Sequence, residues 1–260
     1  MRLVSLCPSL TELVFDLDRG DELVGVTSYC VHPADRVGRV ENVGGTKDPD
    51  VARIVELAPD LVLMNSEENR LEDAEALEAA GVRVHASFPR TVPDTAAMVR
   101  DIARALARPA QGEAIARDIE VRATRVAEES RSLAPVRWAY LIWRKPYMSV
   151  NRDTFAHALL ELAGGVNVFG AEDERYPQVT ATELARARPD VVLLGSEPYP
   201  FEARHADELA QLTGLSRAQV LLVDGEYLSW HGSRTPDGID YAAQCLRGAP
   251  PRASDWSSHR

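Results

Sequence analysis

Cysteine is scarce in this chain of 260 residues: Cys7, Cys30 and Cys245 are an odd number without a CxxC pair. That excludes a disulfide framework and a zinc knuckle, and it points to reduced thiols. Aromatic residues are also few, at 6% of the chain. Positive charge is in deficit, with 29 Lys and Arg against 40 Asp and Glu and a net charge of -11. A polyanion partner calls for a basic stripe, so no nucleic acid is expected. No apolar run approaches the roughly 18 residues that span a bilayer, so no membrane insertion is expected. The opening MRLVSLCPSL has no basic region followed by an apolar core, as an export signal would. As it stands the sequence reads as cytoplasmic, or as periplasmic or otherwise extracytoplasmic if a leader was removed. Too few residues precede Cys7 for it to be a lipidated cysteine.

Catalytic signatures are missing as well. There is no GxSxG, GxxxxGK[ST], GxGxxG or HExxH, which removes the familiar marks of hydrolases, NTPases, dehydrogenases and zinc proteases. A protein that is not an enzyme is therefore the expectation. The alternative kept beside it is acid–base chemistry by a pair of carboxylates, Glu67 and Glu197.

What is present is a packed α/β chain with an internal repeat. The apolar fraction of 45% is ample for a core. RLVSL, LVGV, LVLM and VRVHA read as strands, separated by the helical spacing of VARIVELA and RLEDAEALEAA. Ser9 and Glu12 have capping-box spacing, Asp48 and Pro49 suit the start of a helix, and Thr180 and Glu183 form a second capping box. After Pro135 the alternation resumes with RWAYLIW, a loop RKPYMSV, a helix from Thr154 to Ala163, VVLLG, a helix near Asp207, VLLVD and a last helix at Ile239 to Leu246. Strands alternating with helices predict parallel sheets. Between these halves Pro109 divides two helical stretches, and the second, from Ala110 to Ser130, gives a rod about 30 Å long.

The repeat is PDLVLMNSEE at 59–68 and PDVVLLGSEP at 189–198, with six of ten residues identical. In each copy a helix ends at Pro-Asp and a buried strand delivers Ser-Glu to its carboxyl end, where open α/β sheets place ligand sites. The predicted architecture is two Rossmann-like lobes with parallel sheets joined by a long backbone helix. Residues 1–107 form the first lobe, 108–134 the connecting helix, 135–248 the second lobe and 249–260 a frayed tail.

RLVSLCPSLTELVFDL, VGVTSYC, VGGTKDPDVARIVELAPDLVL and NRLEDAEALEAAGVRVH resemble, in order, the helical-backbone (class III) substrate-binding proteins of ABC importers for cobalamin, haem and iron siderophores. DTFAHALLELAGGVNVF and RYPQVTATELARARPDVVLL continue the resemblance. It is strongest to the cobalamin-binding branch and to relatives described as helical backbone metal receptors. It implies a monomer with no intrinsic cofactor, a cleft for a cobalamin-like corrinoid first and a siderophore or haem next, and an ABC permease as partner. A receptor or interaction module without a transporter is the alternative.

A disc-like chelate needs aromatic faces and a few hydrogen-bonding groups. The aromatics placed in loops at predicted strand ends are Tyr29, Trp143, Tyr147, Tyr176, Tyr199 and Trp230. By resemblance, Tyr176 occupies the aromatic position of an x-Pro-Gln-Val loop and Trp230 that of a tryptophan after the last strand of the second lobe. Asn65, Cys30, Glu197 and His231 complete the candidate ligand-binding set, with His231 a possible axial nitrogen. Cys30 and His32 are two donors without a third, so no bare-metal site is expected. His85 and His157 fall in regular elements. The resemblance also implies permease docking through exposed glutamates, for which Glu67, Glu68 and Glu72 are the candidates. At the position following the tryptophan, where the cobalamin binders have glutamate, this chain reads Trp230-His231-Gly232.

Overall fold

The structure is a computed structural model, and it describes residues 1–248. The predicted tail from 249 to 260 lies outside the described residues. The chain divides into two compact units.

The first unit contains β1 (Leu3–Ser5), α1 (Pro8–Asp16), β2 (Leu23–Val26), α2 (Ala34–Val37), α3 (Val51–Glu56), β3 (Leu61–Asn65), α4 (Leu71–Ala79), β4 (Val84–Ser87) and most of α5 (Val92–Ala105). Its sheet runs β2-β1-β3-β4 with every pair parallel. β3 is buried at all five residues, and its first four are apolar, as suits a strand with neighbours on both sides and helices on its faces. Val4, Leu6, Ile54, Val62, Met64 and Leu77 form the core around it.

α6 (Pro109–Ser130) carries the chain onward, its residues through Arg117 belonging to the first unit and those from Asp118 to the second. Pro109 supplies the fixed φ that suits a first helical position.

The second unit contains β5 (Val136–Leu141), β6 (Trp143–Arg144), β7 (Tyr147–Met148), α7 (Phe155–Leu162), β8 (Gly165–Asn167), β9 (Gln178–Val179), α8 (Ala181–Ala187), β10 (Val191–Gly195), α9 (Ala203–Thr213), β11 (Val220–Val223), α10 (Gly225–Ser229) and α11 (Thr235–Leu246). Its main sheet runs β11-β10-β5-β8, again all parallel. The stretch RKPYMSV, expected as a loop, instead takes part in a hairpin: β6 and β7 pair antiparallel, and β9 joins them. No described helix is long and apolar enough to cross a membrane.

The two copies of the repeat are built alike, down to side chains outside the repeat itself. Asp60 accepts the backbone N–H of Arg2 at 2.7 Å, and Asp190 that of Arg137 at 2.7 Å. Each aspartate returns its own N–H to the same residue's carbonyl, at 2.8 Å for Asp60 and 2.7 Å for Asp190. Arg2 then donates to the carbonyl of Leu57, and Arg137 to those of Ala187 and Arg188. These carbonyls end the preceding helix and have no partner within it. The residue before each Pro-Asp is left-handed: Ala58 has φ 46° and Arg188 φ 47°.

Of three sequence-based helix caps, two shift locally and one holds. α1 begins at Pro8 with Cys7 before it, and no side chain caps it. The cap of α3 is Asp50, whose carboxylate accepts from Arg53 N at 2.9 Å, rather than Asp48. Thr180 and Glu183 do make the reciprocal capping box.

Ser9 and Glu12 serve a different purpose. Residues His231–Arg234 leave the second unit and belong to the first, and Gly232, at φ +122°, allows the turn. Arg234 forks onto Glu12 at 2.9 and 2.5 Å. The His231 ring lies 3.3 Å from Ser9 Oγ through Nδ1 and 2.7 Å from Asn65 Nδ2 through Nε2. Asn65 Oδ1 accepts from the backbone N–H groups of Glu67 and Glu68, so its amide nitrogen must be the atom facing His231. Nε2 therefore accepts, and the Nδ1 proton points to Ser9. Burial pushes the imidazole down to about 4.

Two outcomes follow from this geometry. Arg188→Gly should raise stability by up to about 1 kcal/mol, since glycine takes a left-handed φ without the Cβ clash; a thermal melt of the variant against the parent measures it. A histidine that ionises near 6.5 when unfolded and near 4 when folded binds its proton more tightly in the unfolded chain. Its stabilising effect is complete above pH 6.5 and is lost as pH falls towards 4. In urea titrations, the loss between pH 7 and 4.5 should be about 2 kcal/mol smaller for His231→Asn than for the parent.

Candidate functional site

In each unit the loops that follow the carboxyl ends of the parallel strands gather most of the residues singled out from the sequence.

In the first unit, Tyr29 follows β2 and is 61% exposed. The loop holding it is fixed by Ser28 N donating to Gly44 O at 2.8 Å. Gly45 lies so close to the tyrosine ring that a Cβ there would stand 3.5 Å from Cε2. Cys30 is turned inward, its sulfur 3.0 Å from Thr11 Oγ1 and 3.2 Å from Thr27 Oγ1, and burial raises its thiol pKa. Asn65 closes β3 and is buried, with Asn69 Oδ1 accepting its backbone N–H at 2.8 Å. Both nitrogens of His231 are spent on protein, so an axial bond to a metal would have to displace one of them.

The three glutamates expected at a docking surface differ from one another. Glu72 is exposed in the first turn of α4. Glu67 is half-buried, and its carbonyl accepts from Lys47 Nζ at 2.6 Å. Glu68 is half-buried, and its carboxyl is pushed upward by desolvation against the opposing pull of Lys47.

In the second unit, the β6–β7 hairpin places Trp143 directly beyond the end of β5, 40% exposed. Its ring meets Tyr199 edge-on at 5.8 Å, and Tyr199 in turn meets Phe201 at 4.9 Å. His205 supports this row: its Nδ1 accepts from Glu202 N at 2.9 Å, so its Nε2 proton faces the Tyr199 hydroxyl at 3.5 Å. Arg144 pairs with Glu208 at 2.5 Å, holding the hairpin down onto α9. Tyr147 is half-buried against the core of this unit.

Trp230 sits deeper than a loop aromatic was expected to, at 7% exposed, with its indole N–H donated to Glu197 Oε1 at 2.8 Å. Glu197 thus carries a structural contact. Tyr176 is half-buried beneath the guanidinium of Arg175, and Arg175 and Arg90 both pair with Asp153. His157 packs on Trp138. Lys47, the Ser9–His231 contact and the support of Trp143 by Tyr199 and His205 were not anticipated. The Ser9–His231 contact spans 222 positions, and no local pattern announces it. Among the described residues, no group of three His, Cys, Asp or Glu side chains could hold a bare metal ion.

Arranged in this way, the loops can present flat aromatic surface and hydrogen-bonding groups to a large ligand, without a nucleophile–base pair among the predicted residues. Comparison with known proteins agrees with that character. The vitamin B12-binding protein of Vibrio cholerae serotype O1 is 24% identical over 246 residues, covering 95% of this chain and 89% of that one. The solved structure of the periplasmic vitamin B12-binding protein of Vibrio cholerae superposes with a TM-score of 0.82 over 95% of this chain and 96% of that chain, at 24% identity. A periplasmic haem-binding protein from Roseiflexus sp. RS-1 superposes with a TM-score of 0.83 at 24% identity, covering 95% and 98%. The model of the periplasmic binding protein family matches residues 3–218, and the chain belongs to that family.

Proposed function

We propose that this protein is a receptor for a metal chelate, a cobalamin-like corrinoid before a haem or siderophore, and that it hands its ligand to an ABC permease. The observation that supports this most is the exposed Trp143 braced on Tyr199 at the end of β5. An aromatic left open to solvent, yet fixed from behind by a row of rings, suits contact with a flat macrocycle. Tyr29 offers a similar face at the end of β2 in the first unit. The relatives named for vitamin B12 and haem support the same ligand classes. The chelate arrives with its own metal, so the protein's task is to bind and orient it. Exposed Glu72 is suited to the permease contact, where a rim carboxylate steers a basic partner.

Trp143→Ala and Tyr29→Ala should each weaken chelate binding by about 1–3 kcal/mol while shifting the melting temperature by no more than a few degrees, because both rings are exposed. Trp230→Ala should instead lower the melting temperature, since it removes a buried ring and strands Glu197. Tryptophan fluorescence during titration with cyanocobalamin, haemin and a ferric siderophore reads the affinities. If none of the three quenches at about 100 μM, weaker than about -5.5 kcal/mol, the receptor function is overturned.

A further inference from the structure

Glu68 stands apart from the other acidic residues at the carboxyl edge of the first unit's sheet. It follows β3, in the loop between Asn65 and α4. The adjoining Asn69 donates to the carbonyls of Leu6 and Thr46, both at 2.9 Å, so three loops meet beside Glu68. Its backbone N–H is fixed on Asn65 Oδ1, yet among the described residues its carboxyl makes no hydrogen bond. Burial raises its pKa, as expected for a carboxyl drawn from water without a donor to replace it. Lys47 pulls against that rise without bonding to the carboxyl, its ammonium being tethered to the Glu67 carbonyl at 2.6 Å. A half-buried acceptor without a donor favours a ligand that brings N–H groups. The same group opposes a ligand edge that carries carboxylates.

Building on the chelate-receptor function, we infer that Glu68 is a specificity-determining ligand contact, selecting an uncharged macrocycle edged with carboxamides over one edged with carboxylates. The carboxyl accepts amide N–H from the ligand rim and repels anionic rims.

The test compares one macrocycle with two edges: cyanocobalamin, and a corrinoid whose side-chain amides have been hydrolysed to carboxylates. Both are titrated into the parent, Glu68→Gln, Glu68→Asp and Glu75→Gln. The parent should prefer the amide form. Glu68→Gln should lose most of that preference, by about tenfold or more, through weaker amide binding together with stronger carboxylate binding. Glu68→Asp, which keeps the charge, should retain the preference, and Glu75→Gln, at an exposed position of α4, should leave it unchanged. A parent that binds corrinoid and a Glu68→Gln protein with the same preference would overturn the Glu68 assignment alone. A parent that binds neither corrinoid nor haemin would overturn the receptor function, and the assignment with it. Melting curves confirm that each variant is folded, and Glu68→Asp decides the matter if Glu68→Gln is not: loss of the preference with the charge retained would overturn the inference.

Discussion

A parallel strand commonly enters its sheet from the end of a helix, and for β3 and β10, one in each unit, the entry is made by the same device: an aspartate that takes the backbone N–H of a residue at the start of the neighbouring strand. Asp60 holds Arg2 and Asp190 holds Arg137, with each arginine reaching back to the carbonyls that end the helix. The clasp satisfies a strand end and a helix end together. Those are the places where a βα unit would otherwise leave polar backbone without a partner. Register follows from it, since Val62 lies opposite Val4 and Val192 opposite Ala139. The carboxyl ends of the strands are thereby left to loops that need not support the sheet.

Those loops divide the work between anchoring and presentation. Cys30, Asn65, Trp230 and His231 point into protein and hold neighbouring segments in place, whereas Tyr29 and Trp143 remain exposed. A ring backed by Tyr199 and His205, as Trp143 is, has little freedom left to lose on contact with another molecule. Glu197 shows how closely the two roles lie together: the repeat that delivers it to the strand end also lets it seat the indole of Trp230.

Much of the fold was legible in the sequence because its signals are local. Alternating strands and helices, the break at Pro109, the Thr180–Glu183 box and the repeated Pro-Asp each depend on residues a few positions apart. The misread stretches are those where a distant partner claims a locally plausible group. Ser9 and Glu12 have capping-box spacing, but His231 and Arg234 take their side chains. RKPYMSV lacks a strand's alternation, yet it pairs because β9 comes to lie beside it. The candidate residues were found by type and position at strand ends, while their orientation was not. Whether Trp230 faces ligand or glutamate depends on a contact 33 residues away.

The excursion of residues His231–Arg234 into the first unit has a consequence for biosynthesis. Ser9, Glu12 and Asn65 wait for partners that are translated more than a hundred residues after Arg117, the point where that unit's continuous chain ends. At ordinary elongation speeds the delay is on the order of ten seconds, during which these three side chains of the nascent first unit lack their partners. Its completion is therefore tied to emergence of the second half from the ribosome. A chain ended within α6 would lack the partners of Ser9, Glu12 and Asn65.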